Sequence, residues 1–143
     1  MQPIEILEHT ADIGLRVRAR DLKTLWARAA CGFYELLTDP AAMRKSQGVR
    51  PCRQTIRLKA ATPAALTLAW LRELLFLFSA KGRVFWKVEF RRAAQTELEA
   101  LVSGGIFNPA LCAQRHEVKA VTYHGFKLQK NRRGWMTEII LDI

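Results

Sequence analysis

Gly14-Leu15-Arg16-Val17-Arg18-Ala19-Arg20-Asp21-Leu22-Lys23-Thr24-Leu25-Trp26 changes its hydrophobic period midway, and that change decides the fold class. Gly14 to Ala19 alternates apolar and basic residues, the pattern of a half-buried strand. Arg16, Arg18 and Arg20 then share the opposite face. From Leu22 onward the step changes from two to three and four. Leu22, Leu25, Trp26, Ala29, Ala30, Phe33 and Leu37 form one apolar stripe of an amphipathic helix. Asp21 is its natural N-cap, and Thr38-Asp39-Pro40 stops it.

The same strand-to-helix change recurs downstream. Ala41 to Val49, with Arg44, Lys45, Ser46 and Gly48, reads as a mobile connector. Cys52 to Ala60 sets Ile56, Leu58 and Ala60 against Arg53, Arg57 and Lys59, a second half-buried strand. Thr62 caps a second helix with Pro63 in its first turn. Leu66, Ala69, Trp70, Leu74, Leu77 and Phe78 make it apolar on most sides, and Gly82 suits its left-handed terminus. Strands follow. Val84 to Phe90 alternates with Val84, Trp86, Val88 and Phe90 inward. Glu97 to Val102 alternates through Leu98, Ala100 and Val102 until Gly104-Gly105 breaks it. Val118 to Leu128 and Trp135 to Ile143 predict a hairpin around Asn131-Arg132-Arg133-Gly134. Trp135, Thr137, Ile139, Leu141 and Ile143 share one face of its second strand, so Asp142 faces the other way. The order predicts an α+β fold: one mixed or antiparallel sheet with two main helices packed against it, a single domain over residues 1–143.

Composition bounds the function. At 143 residues, half of them hydrophobic, the chain can bury a core without covalent staples. Cys31, Cys52 and Cys112 form no CxxC pair, which argues against a disulfide framework or structural zinc. Cys31 is expected to be a core thiol, and the expected compartment is the reducing cytoplasm. Glu5 and Glu8 interrupt any signal-peptide pattern. Ala64 to Ala80 is apolar but carries Arg72 and Glu73, so it is expected to be a buried helix and not a membrane span. The formal charge of +10 favours polyanionic partners, or is simply a solvated basic surface.

Hydrolase, nucleotide-loop, dinucleotide and zinc-protease motifs are missing. His9, His116 and His124 lack zinc-ligand spacing. Two carboxylates attract notice: Asp12 in Glu8-His9-Thr10-Ala11-Asp12-Ile13-Gly14, and Asp142 in Ile139-Ile140-Leu141-Asp142-Ile143. With the terminal carboxylate of Ile143 they would make an all-oxygen pocket for a hard divalent cation, provided the fold brings both ends together. A solvated terminal aspartate is the plainer alternative. Lys119, in Val118-Lys119-Ala120-Val121-Thr122-Tyr123-His124, could meet a phosphate as a compact charge or face solvent as an ordinary strand lysine. If that run is a strand, Lys119, Val121 and Tyr123 share a face.

These same three segments resemble the archease family. Glu8 to Gly14 is similar to its opening motif, Val118 to His124 to its second signature, and Ile140 to Ile143 to its ending. Leu71 to Phe78 before a glycine also fits, so the resemblance covers essentially the whole chain, in order. It implies a small α+β protein that assists the RtcB-type RNA ligase. That enzyme joins RNA 2′,3′-cyclic phosphate or 3′-phosphate ends to 5′-hydroxyl ends in tRNA splicing and RNA repair, using GTP and manganese. The resemblance implies an activator that promotes ligase guanylation and multiple turnover, not an enzyme. It implies Asp12, Asp142 and Ile143 as ligands of a divalent ion (calcium, magnesium or manganese) and Lys119 as a functional lysine. His9 and Thr10 would orient the Asp12 loop. The expected partner is the ligase, with indirect contact to GTP or RNA and none with membrane. The competing readings are a basic RNA-binding module without metal, motivated by the alternating arginines, and a chaperone-like or hydrolytic protein.

Overall fold

The computed structural model describes residues 2–8 and 11–143. Its elements are β1 (Ile4–Glu8), β2 (Asp12–Ala19), α1 (Leu22–Leu37), α2 (Pro40–Lys45), β3 (Pro51–Lys59), α3 (Pro63–Lys81), β4 (Arg83–Ala93), β5 (Glu97–Ile106), β6 (Ala120–Asn131) and β7 (Gly134–Asp142). The fold is α+β, as expected, but the strands make two sheets and not one. Sheet A has the order β1-β2-β7-β6 and sheet B the order β3-β5-β4, both antiparallel throughout.

Local chemistry sets the helices. The Asp21 carboxylate accepts the Thr24 amide at 2.7 Å, and the Thr62 hydroxyl accepts the Ala65 amide at 3.1 Å, each relieving an orphan donor of a helix N-terminus. Gly82 ends α3 at φ 66°, a left-handed position that disfavours a Cβ. The expected α1 stripe is buried in full. Cys31 is the exception to the thiol expectation: it sits opposite that stripe and is exposed. α2 occupies part of the expected connector. Asp39-Pro40, which stops α1, also starts α2: Asp39 accepts the Ala42 amide at 3.1 Å and Pro40 fills the first turn.

α1 and α3 share one core with both sheets. The Trp70 indole donates to the Trp26 carbonyl at 2.9 Å, and the Trp26 indole donates to the Thr67 hydroxyl at 2.9 Å, so both buried N–H groups are satisfied. α3 is long and apolar enough to cross a membrane, yet Leu66, Trp70, Leu71, Leu74 and Leu77 are packed in this core.

Three further expectations are corrected. β1 is an additional strand, pairing with β2 from Ile4↔Val17 to Glu8↔Ile13. β5 runs through Gly104-Gly105 instead of breaking there. A Cβ on Gly104 would lie 1.9 Å from the Val84 carbonyl oxygen, so the glycine serves close strand approach. Finally, β6 starts at Ala120, and its register with β7 shifts between Thr122 and Lys127. That irregularity leaves Tyr123 75% exposed while Val121 is buried, so the two do not share a face.

Candidate metal-binding end of sheet A

Strand register brings the two ends of the chain together. β2 pairs with β7 so that Asp12 lies opposite Asp142, Ile13 opposite Leu141 and Gly14 opposite Ile140. β6 adds Ala120 on the other side of Asp142. Residues directly opposite in an antiparallel pair point to the same face, with Cβ atoms about 4.5–5.5 Å apart. The core face here carries Ile13, Leu141 and Val121, all buried. Period-two alternation therefore sends Asp12 and Asp142 together to the outer face, with only the small Ala120 beside them.

The two carboxylates differ in environment. Asp142 is exposed, whereas Asp12 is partly covered. Asp12 Oδ1 is buried and has no hydrogen-bond partner among the described residues. A buried carboxylate oxygen beside a second carboxylate, without a donor, is unfavourable unless a cation accompanies it. The oxygen-only donor set and the orphaned Oδ1 fit a hard divalent ion. Among the described residues, no three His, Cys, Asp or Glu side chains gather as a metal site. The end of sheet A thus offers two acidic side chains, with the main-chain oxygens of Ile143 next in sequence, and leaves remaining positions to water or a partner.

Lys119 is tied to the same end through its backbone. Its amide donates to the Asp142 carbonyl at 2.7 Å, while its side chain is exposed. Two contacts hold this segment in place that sequence reading missed. The Arg72 guanidinium of α3 donates to the Val121 carbonyl at 3.2 Å, and the Thr122 hydroxyl donates to the Ile140 carbonyl at 3.1 Å. Arg72 had been visible only as an interruption of an apolar helix. His9 and Thr10, expected to orient the Asp12 loop, lie outside the described residues.

Farther along the same face the charges are paired. Glu5, Arg16, Glu138 and Lys127 form a row across all four strands. Arg16 donates to Glu5 at 3.1 Å and, through Nε, to Glu138 at 2.8 Å; Lys127 Nζ lies 3.6 Å from Glu138. The Arg16 hydrogen bond holds the Glu138 carboxyl below its usual value, and the Arg18 hydrogen bond does the same for Glu5. Glu138 in turn raises the Arg16 guanidinium. Arg16 and Arg18 are therefore matched by carboxylates and are not an open polyanion-binding face.

Comparison with known proteins agrees with this architecture. Residues 4–143 match the model of the Archease protein family (MTH1598/TM1083). The chain is 32% identical to Protein archease of Thermococcus kodakarensis, with 100% of each chain covered. It is 31% identical to Protein archease of Methanosarcina acetivorans, covering 97% of this chain and 94% of the relative. The fold is similar to the solution structure of Methanobacterium thermoautotrophicum protein 1598, with TM-score 0.71, 24% identity and 100% of both chains covered. It is also similar to a Thermotoga maritima crystal structure described as an archease and possible chaperone. There the TM-score is 0.65 at 17% identity, over 96% of this chain and 94% of that one.

Proposed function

The chain belongs to the archease family, and from that premise we propose that it is a non-enzymatic, metal-binding activator of the RtcB-type RNA ligase. In this reading it promotes guanylation and multiple turnover of the ligase in tRNA splicing and RNA repair. The observation that carries the metal site is the buried Asp12 Oδ1, without a hydrogen-bond partner among the described residues and directly across the ladder from Asp142. Asp12, Asp142 and the main-chain oxygens of Ile143 hold a calcium, magnesium or manganese ion.

The protein's own residues have separable tasks. The β2–β7 ladder fixes the spacing of the two carboxylates. The Lys119 amide fixes the Asp142 backbone, and the exposed Lys119 ammonium offsets phosphate charge brought by the partner. Bound there, a divalent ion supplies positive charge that orients and neutralises phosphate oxygens. The reading as a basic RNA-binding module without metal draws less support, because Arg16, Arg18 and Arg57 are each paired with a carboxylate.

The experiment follows guanylation of the cognate ligase with GTP and manganese, with and without this protein. The expected result is a faster guanylation and repeated turnover that Asp12→Ala removes. No acceleration, or full acceleration by Asp12→Ala, contradicts the proposal.

A further inference from the structure

The opposite end of sheet A carries a second feature that the acidic end does not explain. Seven residue steps lead from Asp12↔Asp142 to Ala19↔Trp135 along the β2–β7 ladder. At about 3.4 Å per residue that is roughly 24 Å. There the second turn of α1, the end of β2, the Gln2-Pro3 segment and the β6–β7 turn enclose a cleft of about 280 Å³. Arg18, Arg20, Arg28 and Arg133 line it, together with the half-buried Trp135 ring, and no carboxylate does.

The arginines are not equivalent. Arg18 is committed to Glu5. Arg28 donates to the Arg18 carbonyl at 2.7 Å, which orients its guanidinium without neutralising it. Arg20 and Arg133 are exposed, and among the described residues neither they nor Arg28 form an ion pair. Arg133 is held on a short turn, where its amide donates to the Asn131 side chain at 2.8 Å. Three forks outside any ion pair among the described residues line one concavity; the Asp21 carboxylate acts on Arg28 through space, and Lys130 Nζ stands 5.3 Å from the centroid of the Trp135 ring, adding a further cation to the indole wall.

We propose that this cleft binds single-stranded nucleic acid, with Arg20, Arg28 and Arg133 on consecutive phosphates and a base lying against the Trp135 ring. Guanidinium forks match phosphate oxygens in pairs. Basic grooves that carry an aromatic ring are the general device for gripping a single strand without reading its sequence. The cleft has room for a nucleotide-sized group, whereas a duplex presents a convex phosphate surface that would meet only its rim. An acidic protein surface would satisfy the charges but leave the indole wall unused. The cleft lies at the opposite end of sheet A from Asp12 and Asp142, so binding there requires no ion at the acidic end.

The test is fluorescence anisotropy of a labelled ten-nucleotide single-stranded RNA with the full chain, in EDTA and without ligase. Binding is expected, weakening with salt by about 0.7 log units per log unit of salt for each phosphate engaged. The Arg20→Glu/Arg133→Glu pair should lower affinity at least tenfold. Arg53→Glu/Arg91→Glu, an equal charge change on sheet B, should lower it less than about threefold, as non-specific screening alone would. Thermal melting confirms that each variant is folded; if the reversal destabilises the chain, Arg20→Gln/Arg133→Gln serves, with a smaller loss expected. Absence of binding, equal losses from both double variants, or equal affinity for duplex RNA would overturn the proposal. So would polyglutamate binding as tightly and losing affinity with the same pair, since the cleft would then fit an acidic protein.

Discussion

The two ends of sheet A leave charge uncompensated in opposite ways. At one end, Asp12 Oδ1 is buried beside Asp142 and has no hydrogen-bond partner among the described residues. At the other, Arg20 and Arg133 are exposed and form no ion pair among the described residues. Between them, Glu5, Arg16, Glu138 and Lys127 neutralise one another across the strands. Burial makes the difference. Water solvates an exposed guanidinium at little cost, so the basic end needs no fixed counter-charge and attracts anions. A buried carboxylate oxygen has no such recourse, which is why the proposed function assigns a cation to the acidic end. The same sheet thus carries a partly covered acidic end and a solvated basic end.

The largest expected effect breaks the acidic end alone. Asp142→Ala should lower ligase stimulation by about 100-fold, as loss of a group that holds the ion does, with melting of the metal-free protein almost unchanged because the residue is exposed. Equal loss of stability and activity would instead mark Asp142 as a folding residue. Next comes the paired middle. Arg16→Ala removes the cation shared by Glu5 and Glu138, leaving Arg18 and Lys127 as their remaining partners, and should lower the urea midpoint measurably but modestly, because the row is solvent-screened.

A smaller, pH-dependent effect sharpens the same contrast. Glu5 and Glu138 are held below their ordinary value of 4.5. Their contribution is therefore complete above that value and is lost as pH falls through the lowered folded-state values. Melting temperature should decline on acidification below about pH 4.5, and Glu138→Gln should flatten that decline. A Glu138→Gln protein with an unchanged acid limb would show that the row contributes nothing. The smallest effect belongs to the basic end: Arg20→Gln should shift stability by less than about 0.5 kcal/mol in the same titration.

Much of this contrast was legible in the chain. The period change at Asp21 gave both β2 and α1, and the alternation of Trp135 to Ile143 put Asp142 on the face away from the core. Division into two sheets was not legible, because alternation specifies a buried face but not which strand lies next. Gly104-Gly105 read as a breaker because composition cannot distinguish a turn from a strand that must approach its neighbour closely. The arginines of β2 looked like a polyanion face because their partners, Glu5 and Glu138, are 11 and 122 residues from Arg16 in sequence. Asp12 and Asp142 shared that difficulty. Their pairing required the register itself, and the motif resemblance pointed to both residues without supplying it. The basic cleft escaped notice for the same reason, since its arginines come from β2, from α1 and from the β6–β7 turn.

The most direct test of the cation site is calcium and manganese titration of the metal-stripped chain, followed by calorimetry and by thermal melting. The account predicts saturable binding of one ion, with a stability gain of about 2.7 kcal/mol at a hundredfold excess over Kd. It also predicts that Asp12→Asn abolishes both signals while remaining folded. Absence of a response in the native chain, or an undiminished response in Asp12→Asn, would contradict it.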